Sequence, residues 1–141
     1  MKKKNTFLQS LTVLFVLFLV SGFAFAKPEE EAQKAAEKWL TFVDAGNFAQ
    51  SWETAAGYFK AAVSQEKWKD SLNAFRKPLG VLVSRKLKSA KYLTSLPGAP
   101  DGEYVLLQFD TSFTNKKTAV ETVTPMLDKD GVWRVSGYYI K

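Results

Sequence analysis

The 141-residue chain carries 20 Lys and Arg against 14 Asp and Glu, a formal charge of +6, and contains neither Cys nor His. The missing Cys excludes disulfides, thiolate metal sites, thiol nucleophiles and a lipidated cysteine. The missing His excludes Ser-His-Asp hydrolysis and imidazole metal sites, so no metal or cofactor is expected and an enzyme would need carboxylate, Tyr, Lys or Arg chemistry.

The chain opens on Lys2, Lys3 and Lys4, an apolar run from Leu11 to Val20, and then Ser21, Gly22 and Ala24-Phe25-Ala26. A basic start, a short hydrophobic stretch and small residues at the positions a peptidase reads predict a secretory signal peptide over 1–26, cleaved after Ala26. The apolar run is too short for a lasting membrane anchor, since spanning the bilayer takes about 20 apolar residues. Cleavage removes three lysines and no carboxylate, leaving 115 residues with 17 cations against 14 anions. One exported domain over 27–141 is expected, periplasmic or secreted, and the reduced charge gives little reason to look for a nucleic-acid partner.

In the mature chain, Ala32, Ala35, Ala36, Trp39, Leu40 and Val43 recur at helical spacing and predict a helix from Pro28 to Asp44. Pro28 suits its first turn, three glutamates complement its positive end, and Gly46 supplies its stop. Asn47 is placed to cap a second helix with Phe48 and Trp52 on one face, ending near Gly57. Ser64 is placed to cap a third, carrying Trp68, Leu72 and Phe75 and stopped by Pro78 and Gly80. After Gly80 the period shortens to that of strands, at roughly 82–95, 103–113, 118–127 and 132–140. The segment 96–102, with two Pro and two Gly, forms a rigid turn, and Asp128-Lys129-Asp130-Gly131 reads as a hairpin loop with Gly131 in the left-handed conformation. Helices followed by a meander make an α+β domain, with three helices packed on a curved antiparallel sheet of about four strands. A sheet curved over the first helix makes a cone, a shape that tends to enclose a pocket.

The segments Trp39-Leu40-Thr41-Phe42-Val43-Asp44-Ala45-Gly46, Leu96-Pro97-Gly98-Ala99-Pro100-Asp101-Gly102-Glu103-Tyr104 and Gly131-Val132-Trp133-Arg134-Val135-Ser136-Gly137-Tyr138-Tyr139-Ile140-Lys141, with Phe48 to Trp52 and Glu121 to Thr124, resemble the bacterial exported family DUF4019. The resemblance covers nearly all of 27–141 and implies an NTF2-like, or cystatin-like, α+β fold. It carries over no catalytic residues, and a fold that hosts both enzymes and binding modules does not decide between them.

Three groups of residues are candidates for function. Trp39, Trp52, Trp68, Trp133 and Tyr138, with Phe75 and Phe109, either fill the core of a small domain or line a ligand pocket. Asp110, Glu121, Tyr104 and Arg134 are acid-base candidates for isomerase or hydrolase chemistry, which would need a carboxylate inside the cone. Their ordinary alternative is the surface, with Glu121 and Arg134 as a cross-strand pair. Alternation along the first strand puts Arg85, Leu87 and Lys91 on one face and Lys86 and Lys88 on the other, a charged edge that discourages pairing between sheets. Consecutive Tyr138 and Tyr139 point to opposite faces, and an outward Tyr suits a subunit interface. The reading that follows is a non-catalytic domain binding a small molecule or an envelope protein. Its alternatives are a carboxylate and Tyr enzyme, and an envelope protein that works as a homodimer through the sheet.

Overall fold

The computed structural model describes residues 24–141. All but the last three residues of the expected signal peptide lie outside that range. The chain forms α1 (Pro28–Asp44), α2 (Phe48–Glu53), α3 (Gly57–Ala62), α4 (Gln65–Phe75), a 3-10 turn at Lys77–Leu79, and strands β1 (Leu82–Leu93), β2 (Tyr104–Phe113), β3 (Lys116–Leu127) and β4 (Trp133–Ile140). The strands form one antiparallel sheet in the order β1-β2-β3-β4, so the fold is the expected α+β curved meander under helices.

There are four α-helices where periodicity predicts three. The additional one, α3, is six residues long, too short to display a repeating apolar face. It starts at Gly57, the residue expected to end the second helix. The other landmarks fall as expected. Pro28 opens α1, Ser64 Oγ accepts from Lys67 N at 3.3 Å to cap α4, and Gly46 and Gly131 sit at φ 77° and 78°. Asn47 occupies the position before α2 but makes no side-chain capping bond.

α1 packs the face Ala32, Ala36, Trp39, Leu40 and Val43 against Val105, Leu107 and Phe109 of β2, Val123 of β3, and Trp133, Val135 and Tyr138 of β4. Val105, Leu107 and Phe109 alternate along β2, and a register shift that leaves Ser136 as an extra residue on β4 brings Tyr138 to the same side as Trp133 and Val135, so all project from the side of the sheet that faces the helices. Three indole N–H groups are used inside the helical layer. Trp39 Nε1 donates to Ser51 O at 2.7 Å, Trp68 Nε1 to Ser51 Oγ at 2.9 Å and Trp52 Nε1 to Val63 O at 2.7 Å. Each bond leaves the ring's hydrocarbon free for packing while satisfying its one polar atom.

The strand β1 corrects one expectation. Its pairing with β2 shifts between Leu87 and Ser89, leaving Lys88 as an extra residue. An added residue inverts the alternation beyond it. Arg85 and Leu87 therefore stay on the inner face, but Ala90 and Tyr92 replace Lys91 there, and Lys91 joins Lys86 on the outer face.

Candidate functional site

Two regions gather several of the candidate residues: a largely buried polar cluster centred in the interior and an open groove at the surface.

The interior cluster is centred on Glu121, which is 0% exposed. Register places it on the inner face of β3, opposite Phe109 of β2 and Ile140 of β4. Arg85 reaches it across β2, with Nε 2.7 Å from Oε1 and Nη2 3.2 Å from Oε2. Thr111 donates to Oε1 at 2.7 Å, and the Tyr138 hydroxyl donates to Oε2. The other side of the Arg85 guanidinium is taken by Asp44 at the end of α1, at 2.8 and 2.9 Å. Asp44 also receives Arg76 at 3.2 Å, whose guanidinium lies 4.3 Å above the Phe113 ring. Two carboxylates and two guanidinium groups thus alternate through the interior.

Such burial is tolerated because each charge has an opposite neighbour and each carboxylate is hydrogen-bonded. Burial pulls the Arg85 pKa down, but the hydrogen bonds to Asp44 and Glu121 outweigh it and hold the guanidinium above its ordinary range. Burial, together with the negative Glu121, pushes the Tyr138 phenol well above its usual value. At neutral pH Tyr138 is a proton donor, and no cleft considered below has Glu121 in its lining.

The remaining acid-base candidates are scattered. Asp110 projects from the outer sheet face and is exposed, opposite Lys86 in the register. Tyr104 is buried beneath the segment 96–102, with its hydroxyl bonded to Pro100 O at 2.6 Å, and burial raises its pKa. Arg134 does not pair with Glu121. It lies opposite Met126 and grips Asp130 through two 2.8 Å bonds and Asp128 through one of 3.1 Å, closing the β3–β4 hairpin. The hydrogen bonds from Arg134 hold the Asp130 carboxyl below its ordinary value.

The groove, of about 540 Å3, runs between the exposed side of α1, the end of α2 and the start of β4. α1 contributes Ala35, Lys38, Trp39 and Phe42 at helical spacing, α2 contributes Gln50 and Thr54, and β4 with the residue before it contributes Val132 to Val135. Trp39 and Trp133, only 3% and 8% exposed, form its floor. The structure brings these two aromatic candidates together at one surface. Trp68 and Tyr138 instead pack in the interior, Tyr138 edge-on to Trp39 at 5.3 Å, and Trp52 lies under Lys60 at 5.9 Å. A second cleft, of about 710 Å3, separates Tyr58 and Ala61 of α3 from Pro100 to Gly102 and the hairpin, with Arg134 shared between the two.

Sequence reasoning missed Asp44, Arg85 and Arg76, and it missed Lys38, Phe42, Gln50, Thr54 and Val132. Asp44 carried a signal, because a carboxylate in the last turn of a helix opposes the helix dipole and calls for a nearby cation. Arg85 carried another, in sharing a strand face with Leu87. The groove residues carried none, since they come from three segments that only the tertiary fold unites.

The fold and its largely buried polar centre define an α+β domain whose interior carboxylate is locked in an ion network and whose aromatic groove is open at the surface. Residues 35–138 match the family described as Protein of unknown function (DUF4019), and the chain belongs to that family. No curated protein matches it.

Proposed function

We propose that this chain is an exported, non-catalytic binding domain, and that the groove between α1, α2 and β4 is where it takes a small ligand or a protein partner. The observation that carries this reading is the pairing of Trp39 with Trp133 on the floor of one open groove beside a filled core. An apolar, largely preformed concavity with a few polar groups at its rim is the usual form of a binding site. The enzyme alternative has less support: Asp110 opens to solvent, and both oxygens of Glu121 are already engaged by Arg85, with Thr111 and Tyr138 adding one bond each. The export reading rests on the sequence of residues 1–26 and is tested by amino-terminal sequencing of the protein recovered from the cell envelope.

The groove is tested with Val132→Arg, which places a long charged side chain at an exposed rim position and leaves the core intact. Wild-type and variant 27–141 are each incubated with an extract of the native envelope, and retained molecules are identified by mass spectrometry. A small molecule or protein held by the wild type and lost by the variant supports the reading; identical retention overturns it.

A second reading is favoured by the outer sheet face. Leu106, Val120 and Met126 are half-buried there and Tyr139 is 49% exposed, an apolar strip beside the charged Lys86, Lys91 and Asp110 that would suit a homodimer through the sheet. Light scattering at tens of micromolar tests it, and a monomer there removes it.

A further inference from the structure

The backbone of β4 adds a feature to the groove that its side chains do not reveal. Along an antiparallel strand, the N–H and C=O of one residue point to the same side, and the side alternates between neighbours. Leu127 N donates to Glu103 O at 2.9 Å, so Leu127 and, two residues earlier, Pro125 turn their backbones toward the β2 side. Their partners across the β3–β4 ladder are Trp133 and Val135. The backbones of Trp133 and Val135 therefore point away from β3, out of the sheet edge. Val135 C=O confirms the direction, since it accepts from Ala56 N at 2.8 Å where the chain passes from α2 to α3. Among the described residues, Trp133 N–H, Trp133 C=O and Val135 N–H have no backbone partner beyond that edge. They belong to the same residues that line the groove.

We propose that the groove is a strand-addition site, and that its ligand is a short, extended, net-acidic peptide segment of a partner protein lying along β4 between Trp133 and Val135. This rests on the binding reading given above and specifies its ligand. An unpaired sheet edge beside a helix offers an extended chain backbone hydrogen bonds for affinity and a side-chain pocket for selection. A residue opposite Trp133 would share its face and direct its side chain toward Trp39 and Phe42, which selects an apolar residue there. Its two neighbours would point to the opposite face. The groove lining contains two cations, Lys38 and Arg134, and no carboxylate. Arg134 is matched by Asp128 and Asp130, whereas Lys38 has no ion-pair partner among the described residues. The unmatched charge selects an acidic segment and disfavours a basic one. The Ala56 bond to Val135 C=O ends the free edge at that point, where Val135 is only 2% exposed, so pairing centres on Trp133 and is limited to about three peptide residues.

The test uses 15N-labelled 27–141 and a positional-scanning library of acetylated, amidated pentapeptides. Pools with an apolar central residue and acidic residues two positions to either side of it, which share its face and look toward Lys38, are expected to shift the Trp133 and Val135 amides and slow their hydrogen exchange. Methylating the amide nitrogen of the central residue in the best peptide should lower affinity by about tenfold or more, as expected when a paired backbone donor is lost. Lys38→Glu should reverse the preference for acidic over basic pools. Val132→Arg should reduce binding of every pool.

The inference is overturned if no pool protects the two amides, if N-methylation has no effect, or if protection follows protein concentration alone, which would assign the edge to a second copy. The envelope-retention experiment separates this failure from that of the broader reading. A retained non-peptide molecule lost in Val132→Arg, with no peptide response, leaves a binding groove without strand addition. Failure of both experiments removes the groove altogether.

Discussion

Arg85 and Glu121 come from strands that are not neighbours, yet their side chains meet at 2.7 Å beneath the intervening β2. Arg85 also holds Asp44 at 2.8 Å, so one guanidinium ties the end of α1 to the centre of the sheet. Arg85→Ala is expected to cost about 3–5 kcal/mol, because it leaves the buried Glu121 without a cation and Asp44 with Arg76 alone. Arg85→Lys should recover only part of this, since a single ammonium lacks the planar fork that serves both partners. Urea denaturation of the three proteins checks the order.

Tyr138 provides a prediction about pH. Burial and the charge on Glu121 raise the phenol's pKa in the folded state above its ordinary value of 10.0. Below about pH 10 the phenol is protonated in both states and its favourable burial is retained; as pH rises, the unfolded chain loses the proton first. The stability associated with Tyr138 is therefore present below its unfolded pKa and lost as pH climbs toward the folded one. Wild-type stability should fall above about pH 10, and Tyr138→Phe should show a shallower fall between roughly pH 10 and 12. Parallel slopes for the two proteins in chemical denaturation would count against the buried donor.

Two glycines separate backbone strain from steric overlap. Gly131 adopts φ 78° in the hairpin, and a Cβ there would meet nothing within 4 Å. Gly131→Val should cost about 1–3 kcal/mol from the left-handed conformation alone. Gly80 has a similar φ of 82°, but a Cβ there would overlap Thr114 Oγ1, which accepts from Val81 N at 3.0 Å. Gly80→Ala should therefore destabilise more than Gly131→Ala, and their thermal midpoints give the comparison directly.

These residues mark the division between what was legible in the sequence and what was not. The stop at Gly46, the cap at Ser64 and the loop at Gly131 depend on the conformational preferences of a few adjacent residues, and those preferences are carried by residue type. The opposed Tyr138 and Tyr139 follow equally locally, from strand alternation. The bulge at Lys88 has no such marker: it follows from fitting β1 against β2, and it moves Lys91 to the outer face. Glu121 looked like half of a surface pair with Arg134 because the two lie on adjacent strands. Five residues separate the strand partners Arg134 and Met126 from the level of Glu121, and Arg85 fills the interior position instead. The groove was legible only as a set of aromatic residues; which two would share a surface was decided by α1 crossing the start of β4.

Trp39 joins the core to that groove, and its substitutions test the two roles separately. Its ring is 3% exposed, packs edge-on to Tyr138 and donates through Nε1 to Ser51 O. Trp39→Ala should cost about 3–5 kcal/mol, the range for removing a large buried aromatic side chain. In a domain of about 115 residues, each kcal/mol lowers the melting temperature by roughly 4–8 °C, so the change is measurable by calorimetry. Trp39→Phe keeps most of the hydrocarbon but leaves the Ser51 carbonyl without its donor, and should cost about 1–3 kcal/mol. A Phe variant as unstable as the Ala variant would make the indole hydrogen bond, rather than burial, the larger contribution. A melting temperature unchanged in Trp39→Ala would refute the burial of Trp39 itself.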